Sequence, residues 1–362
     1  MRIAFRTDAS IQIGTGHVMR CLTLADALRE RGAQCCFICR EHDGHLLDLI
    51  RQRGHEAIPL PACNDNHQAP PNPAHAAWLG TDWATDAEQT GQALAQQCVD
   101  WLVVDHYALD SRWEQALRPA CHRLMVIDDL ADRPHDCDLL LDQNLGRRER
   151  DYAALLKPST RMLIGPQYAL LRPEFAQWRQ YSLARRAQPQ LKNLLITMGG
   201  VDKDNATGQV LDVLKTCELP VDLHITVVMG PCAPWLEQAQ EQAAQMPRPT
   251  QVLTGVTNMA QLMANSDLAI GAAGGTTWER CALGLPSMVF VLAKNQEPGA
   301  MALQQAGAAI MVHDIREMDI LLSEPALVSN PDFLRKMSKS APALTTGTGV
   351  SRIVEKIFGS HA

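Results

Sequence analysis

Long apolar runs are missing from this chain of 362 residues. No stretch approaches the ~18 residues that a membrane-spanning helix requires, so no bilayer span is expected. A basic excess is missing too. Lys plus Arg number 33 against 40 Asp plus Glu, a formal net charge of −7. Nucleic-acid binding needs a basic footprint, so nucleic acid is excluded as the expected partner, and a membrane surface with it. No secretory leader is expected, because Arg6 and Asp8 interrupt the opening MRIAFRTDAS. Three signatures of common chemistries are also absent: the G-x-S-x-G nucleophile elbow, the G-x-x-x-x-G-K-[ST] phosphate loop and the G-x-G-x-x-G dinucleotide fingerprint. The nearest approach to the last, Gly14–Met19, has Met19 where the third glycine belongs. No cofactor is expected.

Cysteine is present, but not as a disulfide framework. The count is 11, odd and scattered, which suits a reducing cytoplasm. Cys36, Cys39, His42 and His45 recur every third residue and invite a metal reading. QCCFICR reads as a buried strand, however, and residues 36 and 39 of a strand point to opposite faces. No metal site is expected.

Apolar residues make up 46% and charged residues 20%, as in ordinary globular proteins. Short apolar runs alternate with amphipathic helical patterns, the signature of an α/β protein with parallel sheets. Strands are expected at Ile3–Phe5, Gln34–Cys39, Glu56–Leu60, Trp101–Asp105, Arg123–Asp128 and Asp138–Leu141, with helices at Val18–Arg31, Leu46–Arg53 and about 83–97. Residues 61–81, rich in Pro, Asn and Ala, read as an irregular surface excursion. The stretch 165–191, with its polar run RRAQPQ, reads as an interdomain link. The alternation then restarts at Leu194–Met198 and continues to two helical patterns within 332–358. The expected fold is two Rossmann-like domains, 1–170 and 171–362, with parallel sheets facing a central cleft and the last helices packing back on the first domain. Open α/β sheets bind ligands outside the carboxyl ends of their strands.

Five constellations lie at such strand ends. GTGHVMR places His17 at a helix start beside Gly14 and Gly16, with Arg20 one turn later. A helix N-terminus disfavours an imidazolium, which suits a neutral general base; a capping His beside a tight turn is the alternative. Two Gly-rich loops, MGGVDKDN with Gly199 and Gly200, and GAAGGTTWE with Gly274, Gly275 and Thr276, each join a strand to a helix. Such junctions hold phosphate on backbone N–H groups without a basic surface. Glu279 either bridges a ribose diol or closes a capping box with Thr276. Asn295 and Gln296 either read sugar hydroxyls or an N-acetyl group, or sit near an N-cap. Asp105-His106-Tyr107 and Asp128-Asp129 either bind hydroxyls or satisfy loop backbone.

RTDASIQIGTGHVMRCLTLA (6–25), VVDHYALD (103–110), VIDDLADRPHDCDLLLDQN (126–144), LIGPQYALLRPEF (163–175), MGGVDKDN (198–205) and IGAAGGTTWERCALGLP (270–286) together resemble the UDP-sugar hydrolases of pseudaminic acid biosynthesis, which act on UDP-2,4-diacetamido-2,4,6-trideoxy-β-L-altropyranose. That family has the GT-B fold and is related to the UDP-N-acetylglucosamine transferase of peptidoglycan synthesis. The resemblance implies a metal-independent cytoplasmic hydrolase, here expected to be a monomer, with His17 as the catalytic histidine. It implies Tyr107 lining the sugar site, Glu279 on the UDP ribose, Gly274, Gly275 and Thr276 at the diphosphate, and Asn295 with Gln296 facing the sugar. Asp8, Gly14, Gly16, Arg20, Gly199 and Gly200 complete the expected substrate contacts. A GT-B glycosyltransferase using a UDP-N-acetylated sugar and a non-catalytic UDP-sugar-binding protein are the alternatives. Residues 61–81 have no match in the family.

Overall fold

A computed structural model describes residues 1–62, 72–94, 98–323 and 330–359. The chain forms two compact units, 1–170 with the C-terminal segment from 350 onward, and 171–349.

The first unit is built on seven parallel strands: β1 (Arg2–Thr7), β2 (Gln34–Arg40), β3 (Glu56–Leu60), β4 (Val99–Asp105), β5 (Cys121–Ile127), β6 (Leu139–Asp142) and β7 (Arg161–Ile164). Their order is β3-β2-β1-β4-β5-β6-β7, the doubly wound arrangement that reverses direction between β1 and β4. Strict alternation sorts the strand residues. Ile3, Phe5, Phe37, Trp101, Val103, Met125 and Leu139 face one layer with α1 (Gly16–Glu30) and α2 (Leu47–Gln52). Ala4, Ile38, Leu102, Val104, Val126 and Leu140 face the other with α3 (Trp83–Leu94) and α4 (Ser111–Leu117). Cys39 belongs to the first layer and Cys36 packs against the second, as the pleat requires.

The expected helix over 83–97 is observed to Leu94, its last three positions lying outside the described residues. Within 61–81, residues 63–71 also lie outside them, and Ala76–Leu79 form a 3-10 turn.

The second unit repeats the plan with β8 (Asn193–Thr197), β9 (His224–Met229), β10 (Thr250–Thr254), β11 (Leu268–Ala272), β12 (Ser287–Phe290) and β13 (Ile310–Val312), all parallel, in the order β10-β9-β8-β11-β12-β13. Its helices are α5 (Pro173–Arg185), α6 (Ala206–Thr216), α7 (Leu236–Ala244), α8 (Met259–Asn265), α9 (Thr276–Ala282), α10 (Glu297–Gln305), α11 (Ile315–Ser323) and α12 (Pro331–Ser340). α13 (Gly349–Gly359) returns to the first unit, where Val350, Ile353, Val354 and Ile357 join the core beside α1.

The stretch read as a link proves to be largely helix. Two arginines fasten α5 and its end. Arg179 donates to the carbonyls of Ala282, Pro342 and Thr345. Arg186, just past its end, donates to those of Met263, Ala264 and Ser266. Carbonyls at helix ends and turns have acceptor capacity to spare, and the two arginines use it. Among the described residues, no helix is long and apolar enough to cross a membrane.

Trp113 on α4 is fully buried and donates its indole N–H to Asp86 at 3.0 Å. Trp113→Ala is expected to lower unfolding free energy by about 3–5 kcal/mol, measured by chemical denaturation.

Candidate functional site

In the first unit the functional side chains collect where β1 and β4 diverge, the position at which doubly wound sheets bind ligands. Thr7 ends β1 beside Asp105, which ends β4. Between β1 and α1 the chain makes a tight loop. Ser10 accepts the N–H groups of Gln12 and Ile13 on its hydroxyl and that of Gly14 on its carbonyl. Gly14 has φ +82°, a conformation that side chains resist. This loop delivers His17 to the first turn of α1.

His17 Nδ1 lies 2.6 Å from Asp105 Oδ1, and the imidazole is 10% exposed while the carboxylate is fully buried. Arg20 grips the same carboxylate, Nε to Oδ2 at 2.6 Å and Nη2 to Oδ1 at 2.7 Å. Burial alone would raise the Asp105 carboxyl. Arg20 and His17 outweigh it and hold the group far below the usual carboxylate range. An ionised carboxylate only accepts, so His17 donates its Nδ1–H and leaves the Nε2 lone pair for chemistry.

The network runs on across the neighbouring strand ends. Arg20 Nη1 reaches Asp129 at 2.7 Å, and Tyr107 donates its hydroxyl to the same carboxylate at 2.6 Å. Asn144 bridges Asp129 and Asp142. The Tyr152 hydroxyl lies 2.9 Å from Asp128 and 2.8 Å from Asp142. Burial, with Asp129 adding to it, pushes the Asp142 carboxyl up to about 7.

Two expected contacts take different parts. Asp8 is fully buried. Its carboxylate accepts from Arg6 at 2.6 Å and from the Arg40 N–H at 2.7 Å, so it organises the strand ends and presents no surface to a ligand. Tyr107 is only 6% exposed and its hydroxyl is committed to Asp129; its ring stands edge-on to His17 at 4.6 Å. Asp105 as the partner of His17 went unassigned in the sequence. The one available signal was its place at the carboxyl end of an expected strand.

In the second unit the Gly-rich loops follow β8 and β11, again at the point where strand order reverses. The two loops are not equivalent. Asp202 accepts the N–H groups of Ala206 and Thr207, and Asn205 accepts that of Gly208, so the start of α6 is already capped. Gly199 and Gly200 therefore precede a helix end whose donors are used. Among the described residues no side chain caps α9; its Thr277 and Trp278 N–H groups turn back to the Gly274 and Gly275 carbonyls, and the end at Gly274, Gly275 and Thr276 is left without a side-chain cap. Arg280, fully buried, fixes this loop from beneath by donating to the Ala272 carbonyl at 2.8 Å and the Thr277 hydroxyl at 3.0 Å.

The capping box, the alternative reading of Glu279, does not form. The α9 N-cap position is Gly275, and Glu279 caps nothing. Its half-buried carboxyl is pushed up to about 7 by burial, with Glu174 adding and Arg172 and Arg280 opposing. Gln296 spends its carbonyl on the Leu292 N–H at 3.0 Å, with its amide nitrogen beside Gly274. Asn295 is exposed on the 3-10 turn Lys294–Gln296.

The raised Glu279 carboxyl has a thermodynamic consequence. Between the ordinary glutamate value of 4.5 and about 7 the folded state holds a proton that the unfolded state has released. Stability therefore falls as pH rises through that window. Glu279→Gln removes this share. The melting temperature of the variant should fall between pH 5 and 7.5 by a few degrees less than that of the parent, measured by thermal denaturation across pH.

Residues 193–352 match the family model of the glycosyltransferase family 28 C-terminal domain. An uncharacterized protein of Methanocaldococcus jannaschii, MJ1062, is 26% identical over 82% of this chain, which spans 56% of that relative's length. The UDP-2,4-diacetamido-2,4,6-trideoxy-beta-L-altropyranose hydrolase of Campylobacter jejuni is 25% identical over 85% of this chain and 97% of its own. Among solved structures, Acinetobacter baumannii MurG superposes with a TM-score of 0.69 over 99% of both chains at 17% identity. The UDP-GlcNAc 2-epimerase of Neisseria meningitidis superposes with a TM-score of 0.60 over 99% of this chain and 100% of that one, at 14% identity. Identities this low speak for the fold alone. With its two parallel α/β sheets, the chain has the GT-B fold.

Proposed function

We propose that this protein hydrolyses a UDP-sugar, breaking the bond between C1 and the UDP oxygen with inversion. The preferred sugar in this reading is 2,4-diacetamido-2,4,6-trideoxy-L-altrose, released in pseudaminic acid biosynthesis, and its support is the likeness to the Campylobacter hydrolase over nearly that enzyme's full length. The observation that carries the reaction type is the His17–Asp105 pair at 2.6 Å, with Arg20 locking the carboxylate from its other side.

In this reading His17 Nε2 takes a proton from water. The water oxygen bonds to C1, and the C1–O electron pair leaves with the UDP β-phosphate. The nascent imidazolium is stabilised by Asp105, and the proton later returns to solvent. UDP leaves readily, so little acid assistance is needed. The N-terminal end of α9, with Gly274, Gly275 and Thr276, would stabilise the charge that develops on the leaving diphosphate. Glu279 would accept the ribose hydroxyls, its ionised form favoured by them. Gly199 and Gly200 would lie along the nucleotide, and Asn295 and the Gln296 amide would face the sugar. Gly14 and Gly16 shape the loop under His17, and Arg20 and Asp8 act as positioning residues.

The match to a glycosyltransferase family favours a second reading, transfer of the sugar to an alcohol acceptor. Incubation with the UDP-sugar and no acceptor separates the two: rapid UDP release supports hydrolysis, and release only with an acceptor supports transfer. His17→Ala is expected to lower kcat by about 10²–10⁴-fold and to leave UDP affinity within a few-fold. In ¹⁸O-water the label should enter the sugar; label in UDP would mean attack on phosphorus and would remove His17 as the base that activates water toward C1.

A further inference from the structure

We propose that His75 and Trp78, from the segment that has no match in the resembling family, form a recognition shelf for an acetamido group beside His17. This inference rests on the UDP-sugar reading above and names what selects the sugar.

Four rings are gathered there. Trp78 stacks on Tyr107 with centroids 5.6 Å apart and planes 23° from parallel. His75 lies 4.4 Å from Trp78 and 5.4 Å from Tyr107. His17 meets Tyr107 edge-on at 4.6 Å and Trp78 edge-on at 6.4 Å. The general base of the proposed reaction and the two rings of this segment thus share one aromatic cluster.

The segment is held in place. Ala76 and Leu79 are buried, Leu79 within the layer under α3 and α4. The Ala76 N–H donates to the Pro73 carbonyl, that of Trp78 to His75, and that of Gly80 to Ala77. His75 and Trp78 alternate with the buried pair and remain half-exposed.

A shelf that merely filled space would be apolar. Here every ring carries a polar atom. Tyr107 spends its hydroxyl on Asp129 and His17 its Nδ1–H on Asp105. The Trp78 indole N–H and the His75 ring nitrogens take no hydrogen-bond partner among the described residues. Burial lowers the His75 pKa, which keeps a lone pair on the ring. An indole donor beside an imidazole acceptor is complementary to an acetamido group. The carbonyl accepts from the indole N–H at the edge of Trp78, the amide N–H donates to the imidazole, and the methyl rests against the neighbouring rings. A hydroxyl in the same place would leave the ring face uncovered.

The test is calorimetric, in a His17→Ala background so that no turnover intervenes. The probes are UDP-2,4-diacetamido-2,4,6-trideoxy-β-L-altropyranose, UDP-glucose and UDP. The starting protein is expected to bind the diacetamido compound at least about tenfold tighter than UDP-glucose. Trp78→Ala is expected to abolish most of that preference while UDP affinity stays within about twofold. Trp78→Phe, which keeps a ring and loses the N–H, should retain part of it. No preference in the starting protein, or an unchanged preference in Trp78→Ala, overturns the shelf. Should Trp78→Ala fail to fold, His75→Ala is compared in the same way and decides the matter. Because the readout is binding, it stands apart from hydrolysis. Lost preference in a protein that releases no UDP without acceptor would sink the hydrolase and keep the shelf. UDP release with an unchanged preference would do the reverse.

Discussion

The carboxylate of Asp105 is the point on which the first unit's chemistry turns. It is fully buried, yet both of its oxygens are engaged: His17 and Arg20 share Oδ1, while Arg20 and the Cys21 thiol approach Oδ2. A charge withdrawn from water is tolerable only when paired with good geometry. That requirement fixes more than one residue. Arg20 must lie one helical turn beyond His17 for both to reach a single carboxylate, and the helix that carries them must begin immediately after the Gly14 loop. Arg20 then has a guanidinium nitrogen to spare, which fixes Asp129, and Asp129 in turn fixes Tyr107. The orientation of the His17 ring is thus the end product of a chain of ion pairs running across the ends of β4 and β5.

The second unit solves a different electrostatic problem by different means. Residues 191–300 hold six basic side chains against ten acidic ones, so a bound anion would depend on backbone dipoles. The two glycine loops look alike in sequence, and what separates them is capping. Asp202 and Asn205 consume the donors at the start of α6, whereas α9 starts without a side-chain cap. Arg280 reaches back beneath the second loop without presenting itself to solvent. Glu279, one residue before it, is the carboxylate that burial raises and no cap employs.

Much of this was legible from local patterns. The strand–helix alternation, the tight loop before His17 and both glycine loops are written within a few residues of one another, and short-range sterics and periodicity read such features reliably. Four elements escaped. α4, β7 and α11 are short, and α5 was hidden by the Gly-Pro, the Arg-Pro and the polar run around it, which together read as a link. The capping box weighed for Thr276 and Glu279 matched in spacing alone; a helix that begins at Thr276 has Gly275 as its N-cap, and the hydroxyl stands one position too late.

The sequence by itself determined which residues could do chemistry and on which side of each sheet they would stand, because the carboxyl end of every parallel strand faces the same way. Tertiary structure alone decided which of them meet. His17 and Asp105 are 88 residues apart in the chain, and they come together because β1 pairs with its sequence neighbour β2 on one side and with β4 on the other. Nor could spacing tell that Asp8, two residues from Arg6, would be sealed from solvent while His75 and Trp78 stay half-exposed. Burial is a property of what packs overhead, and those covering groups come from remote parts of the chain.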